Sequence, residues 1–367
     1  MATIQKYITD NDQIRWRVRW RDNGKQRSKS FDRQRLARDF MIKLEHDMRQ
    51  GAYVSPVKIT VDAYLDDWLP IHTQNLSDKT KLNYRSMIDR RINPYIGKIE
   101  IQKLNAGHIE KMYSNLSVDL SPTSIYYVHS ILSAALKSAM RQRLISTNPC
   151  TLLKPPEKKT SFEGKMVPPD QVSKYLDAIK DTWIYPAVII SITCGLRRGE
   201  IVGLKWSDIN FKTRKLTVNR SAYRLKNEML EKPPKNGKVR SVYIPDTLAT
   251  LLHQQKKQQK RYRLLLGPEY IVSDYVIVYE DGHRPRPDGL SRFFRRRIKA
   301  KGLDHIRFHD LRHTAASLML YGGNDLKTVS DTLGHSSIKI TADIYAHTID
   351  DAKKQLADSM SKYLENQ

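Results

Sequence analysis

Cysteine is nearly absent: only Cys150 and Cys194 occur in 367 residues, and neither sits in a Cys-x-x-Cys or comparable metal-ligand spacing. A disulfide framework is therefore excluded, and a reducing compartment is expected. Long apolar runs are missing too. The longest, 184-IYPAVIISITCGL-196, is too short to span a bilayer and reads as a buried helix. The first residues, MATIQKYITD, lack the apolar core of a signal peptide. A cytoplasmic protein with no membrane partner is the expectation. No internal repeat and no long low-complexity tract is evident, which sets aside solenoids and disordered tails. Acidic residues are also few, 39 Asp and Glu against 64 Lys and Arg, leaving a formal net charge of +25. With 40% hydrophobic residues the chain can still build real cores. A folded protein with positive charge spread along its whole length points to a polyanionic partner, nucleic acid first. A basic but otherwise ordinary enzyme is the alternative.

Three segments can be marked. In residues 1–55, Ile14, Trp16, Val18 and Trp20 alternate with Arg15, Arg17, Arg19 and Arg21. Period two means a strand with one apolar and one cationic face. The 22-DNG-24 turn returns a second strand through Lys25 and Arg27, and an Arg-rich helix follows over about 32–50. Thirteen Lys and Arg against seven Asp and Glu up to residue 50 leave this segment strongly positive. Arg15, Arg17, Arg19, Arg21, Lys25 and Arg27 are its candidate DNA contacts, the four strand arginines as phosphate or groove readers. The alternative is a solvated edge strand protected by charge.

Beyond a Pro-marked linker at 54-VSPVK-58, residues 56–157 read as helical. Ile59, Val61, Tyr64, Leu65, Trp68 and Leu69 form one stripe; Leu82, Tyr84, Met87, Ile88 and Ile92 form another, with breaks at Pro94 and Gly97. Over 121–145 a long helix starts at cap Ser121 and Pro122, its Ile125, Val128, Leu132, Leu136 and Ala139 spaced as core. The stretch 154-KPPEKKTSFEGK-165 reads as an exposed linker. Residues 158–367 are mixed: helices flank strands at 215–224 and 239–245 that are joined by a charged loop, and a basic helix lies near 292–302.

In 306-IRFHDLRHTAASLMLYGG-323, His309, Arg312 and His313 share a predicted helix. Pairing His309 with His313 gives the i, i+4 spacing of a zinc helix; pairing it with Arg312 gives a phosphate site. Zinc is disfavoured, because Asp310 stands where a zinc protease carries Glu, Arg312 would crowd a dication, and no third ligand is suggested. His313 is then expected to cap or pack.

Four stretches of this segment collect Arg, Lys, His and Tyr: 194-CGLRRGEIVGLKWSDI-209, 233-PPKNGKVRSVYIP-245, 309-HDLRH-313 and 333-LGHSSIKITADIYAH-347. Each alone is weak. In this order and at these separations they resemble the catalytic domain of the tyrosine recombinases, the phage integrase family. The resemblance extends over the chain. It implies a multidomain, mainly α fold with small β elements: an arm-type DNA-binding domain (1–55, a three-stranded sheet plus helix), a helical core-binding domain (56–157) and an α+β catalytic domain (158–367) with a C-terminal helix.

Residue by residue, the resemblance implies that Arg197 and Arg312 are the catalytic arginines, Lys235 the loop lysine, and Tyr345 the nucleophile. His309 and His335 match the two histidines, and Glu200 the acidic residue in a supporting role. Those residue types suit phosphodiester chemistry on their own terms. Guanidiniums stabilise charge on the non-bridging oxygens and stay charged at any working pH. A phenol with a free pKa near 10 becomes a competent nucleophile only with positive charge and a base beside it. The implied reaction is strand cleavage and rejoining through a 3′-phosphotyrosine, integrating a phage or mobile element and leaving its excision open, without metal or cofactor. Implied partners are duplex DNA at core and arm sites, a homotetramer in the synaptic complex, a host DNA-bending protein and an excision factor, in a bacterial cytoplasm at the nucleoid. A type IB topoisomerase-like enzyme and a non-enzymatic DNA-binding regulator are the alternatives. Ala352, Leu356, Met360 and Tyr363 lie on one face of a predicted terminal helix, which docks either on its own domain or on a neighbouring protomer.

Overall fold

In the computed structural model, which describes residues 2–22, 24–51, 53–155, 157, 166–234, 237 and 239–345, the chain divides into two units, Met1–Thr160 and Ser161–Gln367.

The first unit opens with the antiparallel sheet β1 (Thr3–Ile8), β2 (Ile14–Asp22) and β3 (Lys25–Phe31), with β2 in the middle. Helix α1 (Gln34–Arg49) covers one face, where Val18 and Trp20 bury against Ala37 and Leu44, with Phe40 beside Trp20. The period-two alternation then places Arg15, Arg17, Arg19 and Arg21 on the other face, where Arg17 lies 4.1 Å from the Tyr7 ring centroid. The edge-strand alternative does not hold: β2 is hydrogen-bonded on both sides. Lys25 and Arg27 part company with the four arginines. They sit directly across from Asp22 and Trp20, on the face that α1 covers, and Arg27 pairs with buried Asp22 at 3.6 Å. Opposed residues in an antiparallel pair share a face, so one register decides this.

The remainder of the unit is helical: α2 (Val61–Thr73), α3 (Asp78–Met87), a π-helical turn at Ile88–Ile92, α4 (Asn93–Ile96), α5 (Ala106–Leu116) and α6 (Pro122–Arg141). Ser121 caps α6 by accepting from the Ser124 N–H, and the expected stripe from Ile125 to Ala139 is buried. Two expectations fail. Leu82 is 43% exposed, because six residues from Ile88 is roughly two thirds of a turn off the face on which Tyr84 and Met87 pack half-buried against the core. The chain does not break at Pro94 either. It widens into the π turn and stays helical through Pro94 as far as Ile96, and only Gly97 follows as a stop. The stretch expected as a linker at 54–58 is held. Ser55 donates to Asp22 at 2.5 Å, and Gln102 donates to the Ser55 carbonyl at 2.8 Å.

In the second unit α7 (Val172–Ile179), α8 (Tyr185–Cys194) and α9 (Arg198–Gly203) precede five strands: β4 (Ile209–Asn210), β5 (Lys215–Val218), β6 (Ser221–Leu225), β7 (Glu228–Lys232) and β8 (Arg240–Tyr243). Helices α10 (Asp246–Leu266), α11 (Pro287–Ala300), α12 (Asp310–Tyr321), α13 (Leu326–Leu333) and α14 (Ile338–Tyr345) complete it. The apolar run expected to be a buried helix is α8, which shares one buried core with Leu216, Val242, Phe294 and Leu311. The single strand expected at 215–224 is two. It breaks at Asn219 and Arg220, whose side chains both turn to Asp208. β5 then joins the sheet β4-β5-β8, while β6 and β7 form a separate hairpin. The expected terminal helix at 349–367 and most of 154–165 lie outside the described residues. Among the described residues, no helix is long and apolar enough to cross a membrane.

Leu132→Ala is expected to destabilise the full chain by about 2–5 kcal/mol in chemical denaturation, since it empties a fully buried site. Leu82→Ala should change stability by less than about 0.5 kcal/mol.

Candidate active site

Helix α8 stops at Gly195, whose φ of 62° is a left-handed conformation. A Cβ there would lie 2.1 Å from Leu333 Cδ2, so only glycine fits. The chain turns and restarts as α9, with Arg197 at its N-cap and Glu200 reaching back to the Arg197 N–H at 2.8 Å. Glu200 is 2% exposed, and its two oxygens bind two guanidiniums. Arg197 Nη1 donates to Oε1 at 3.0 Å; Arg240 on β8 donates to Oε1 at 3.0 Å and to Oε2 at 2.7 Å. Burial alone would raise the Glu200 pKa, but Arg240 first and Arg197 second hold it below the ordinary carboxylate value.

Both arginines then reach the same place, the C-terminal end of α13. Three consecutive carbonyls there each accept from a different arginine. Thr332 O takes Arg240 Nε at 3.1 Å, Leu333 O takes Arg312 Nη2 at 2.6 Å, and Gly334 O takes Arg197 Nη2 at 2.9 Å. Arg312, 2% exposed, also donates to Gly195 O. Arg197 and Arg312 therefore converge, bound to neighbouring peptide groups. Glu200 takes Arg197 and Arg240 while Arg312 rests on carbonyls, so three guanidiniums gather beside one carboxylate and two positive charges are in surplus. Burial, and then the nearby Arg197 charge, pull the Arg312 pKa down, though only to about 9, so it remains charged at neutral pH.

The histidines feel the same field. His309 caps α12 rather than lying within it, and its ring meets His313 edge-on at 5.1 Å. The pKa of His309 is lowered by burial and then by Arg312; that of His313 falls to about 4, through burial and then His309. His335 follows Gly334, which caps α13 at φ 65°, and its Nδ1 is 2.8 Å from Thr341 Oγ1 on α14. Burial and then Arg312 and Arg197 take the His335 pKa down to about 3. Tyr345 is the last residue of α14, one helical turn beyond Thr341. Lys235 lies outside the described residues.

Sequence reading placed Arg197, Glu200, His309, Arg312 and His335 among the candidates, and the fold brings their elements together. It missed Arg240 and Thr341. A signal for Arg240 existed: it shares the inward face of its strand with Val242 and Ile244, both buried, and an inward charge needs a partner. Thr341 carried no such mark.

Residues 165–351 match the Phage integrase family, and residues 60–117 match the Phage integrase N-terminal SAM-like domain. The chain belongs to the phage integrase family and is an enzyme of the tyrosine-recombinase class, as the motif resemblance implied. It is similar to a tyrosine recombinase XerC-like protein of Caldanaerobacter subterraneus, 27% identical over 335 residues, covering 86% of each chain. It is similar also to the ICEBs1 integrase of Bacillus subtilis, 27% identical over 355 residues, 95% of this chain and 93% of the relative. In fold it matches a solved fragment of the Tn1549 transposon integrase with a TM-score of 0.71 at 20% identity, covering 82% of this chain and 100% of that one. A lambda integrase matches with a TM-score of 0.63 at 21% identity, over 92% of this chain and 94% of that one.

Three histidines held neutral in the fold set a pH dependence. Unfolded histidine takes its proton near pH 6.5, whereas these sites resist it to lower pH, to about 4 for His313 and 3 for His335. The unfolded state therefore binds more protons below about pH 6.5, and stability falls as pH drops through that window, by up to about 1.4 kcal/mol per pH unit for each site. Urea melts between pH 7 and 5 should show this slope, and His335→Gln should flatten it by about one proton's worth.

Proposed function

We propose that this chain is a site-specific DNA recombinase in which Arg197 and Arg312 grip the scissile phosphate while Tyr345 attacks it. The observation that carries this reading is the pair of guanidiniums bound to adjacent carbonyls with two positive charges in surplus. Such a site stabilises the extra negative charge of a pentavalent phosphorus without reorganising at the moment of reaction. The depressed pKa of His309 keeps it neutral at pH 7, which suits a base taking the phenolic proton. With Nδ1 of His335 engaged by Thr341, Nε2 is left to donate to a non-bridging oxygen. Lys235 protonates the departing 5′ oxygen. Glu200 touches no substrate: it orients Arg197 and neutralises Arg240. The products are a 3′-phosphotyrosine and a free 5′-hydroxyl, and religation needs neither ATP nor a metal.

The relatives suggest the partners. The Tn1549 fragment was solved with transposon right-end DNA, and a lambda integrase as a tetramer on a Holliday junction. Duplex DNA and a homotetramer are proposed here on that basis, with residues 56–157 binding the core site, 158–367 catalysing, and 1–55 reading arm sites through Arg15, Arg17, Arg19 and Arg21. A host DNA-bending protein and an excision factor would complete the assembly, in a bacterial cytoplasm at the nucleoid.

Incubation with nicked genomic fragments should trap a covalent adduct on Tyr345, and sequencing the trapped DNA identifies the core site. Tyr345→Phe is expected to bind the same DNA and form no adduct, while Arg197→Ala and Arg312→Ala should each slow cleavage by about 10²–10³-fold. Relaxation of supercoils without sequence preference would instead favour a topoisomerase; unchanged activity of Tyr345→Phe would favour a regulator. Replacing Arg17 and Arg19 with Glu should abolish binding at a second, distinct site while leaving core cleavage intact, and gel shifts with separated sites decide this. Binding should weaken with salt at a log–log slope of about −0.9 per contacted phosphate.

A further inference from the structure

Arg240 has no role in the chemistry above, yet every nitrogen of its side chain is engaged. The sheet sets its backbone, where it pairs with Val218 of β5. From there Nη1 donates to Glu200 Oε1 at 3.0 Å, Nη2 to Glu200 Oε2 at 2.7 Å and Nε to Thr332 O at 3.1 Å. The side chain is 11% exposed, against 28% for Arg197. Gly334 closes over it, and a Cβ at that position would lie 2.9 Å from Arg240 Cδ. A guanidinium spent in this way is poorly placed to take a phosphate oxygen, whereas Arg197 is more open to one.

Glu200 divides its bonds evenly between the two arginines. Oε1 accepts from Arg240 Nη1 and from Arg197 Nη1; Oε2 accepts from Arg240 Nη2 and from the Arg197 N–H. The carboxylate is buried, so these donors set its plane. That plane in turn decides how far Arg197 Nη1 turns back, and hence where Nη2 points, at present onto Gly334 O at 2.9 Å. Without Arg240, one buried carboxylate would face the Arg197 guanidinium alone. The bidentate fork is the favoured geometry of such a pair, and it would draw Nη2 off Gly334 O and onto Glu200. An apolar pair in place of Arg240 and Glu200 would join sheet and helix about as stably, but it would place no guanidinium.

We infer that Arg240 is a positioning residue for the phosphate grip: from the sheet it sets Glu200, and through Glu200 the reach of the Arg197 guanidinium. This rests on the reading of Arg197 as a ligand of the scissile phosphate. A misplacement of about 1 Å at a reacting centre can cost about 10²-fold in rate.

The test uses the full chain and a nicked duplex of the trapped core sequence, with either the natural scissile phosphate or a methylphosphonate in its place. In both, the Tyr345 oxygen bonds to phosphorus and the phosphorus–O5′ bond breaks. The methyl group replaces one non-bridging oxygen and removes its charge, so the transition state depends less on a guanidinium. Arg240→Ala is expected to cleave the phosphate roughly 10–100-fold more slowly than the unaltered chain, and the methylphosphonate within about threefold of it. Arg240→Lys, which offers a point charge for a fork, should fall between. Combining Arg240→Ala with Arg197→Ala should be no slower on the phosphate than Arg197→Ala alone, because both changes remove one interaction. Equal slowing of Arg240→Ala on the two substrates would make the residue a structural part, and full speed on the phosphate would leave it no role. Multiplied slowing in the double variant would mean that it acts independently of Arg197. Each of these overturns the inference. Should Arg197→Ala itself be slowed equally on both substrates, the phosphate reading of Arg197 fails and the inference falls with it. Cleavage of the methylphosphonate reports that a variant is folded.

Discussion

The last carbonyls of a helix have no partners within it, and in α13 three of them, Thr332, Leu333 and Gly334, are each taken by a different arginine. The negative end of the helix dipole adds to the attraction. This one junction offsets much of what it costs to bury Arg312 and to hold three like charges together. It also fixes geometry. Arg240 arrives from β8, Arg312 from the first turn of α12 and Arg197 from the cap of α9, so the three elements can be only where their guanidiniums reach neighbouring peptides. The two left-handed glycines belong to the same constraint. A side chain at Gly195 would strike Leu333, and one at Gly334 would come within 2.9 Å of Arg240.

The junction divides the charges into two kinds. Glu200 ties Arg240 and Arg197 together, so one carboxylate answers three guanidiniums and two positive charges stay in surplus, with Arg312 held by carbonyls. Burial first, and then the neighbouring positive charge, depress the pKa of the bases here, and His309, His313 and His335 all move down. The electrostatics that would welcome a phosphate thus also keep the imidazoles neutral. Stability at low pH is what this arrangement gives up.

The N-terminal sheet obeys a simpler version of the same rule. One face of β2 is apolar and covered by α1, and the opposite face carries four arginines, none of them fully buried. The register of β2 against β3 then assigns Lys25 and Arg27 to the covered side, where Arg27 serves Asp22. Cationic residues adjacent in sequence have different surroundings because the strands alternate.

The sequence by itself determined what depends on short-range periodicity and on residue type. The arginine-bearing strand, the long capped helix at Pro122–Arg141, the buried helix at Tyr185–Cys194 and the family of the catalytic motifs were all legible. Period two and period 3.6 are local properties, and the motif residues keep their order along the chain. Leu82, Pro94 and the split at Asn219 were misread because an off-face position, a helix widened through a π turn and a pull from Asp208 outweighed local preference. Only tertiary structure decided that Arg240 holds Glu200 across 40 positions, or that α13 supplies the carbonyls on which three arginines close. A charge cannot be buried without a partner, and which partner reaches it is settled where distant segments pack.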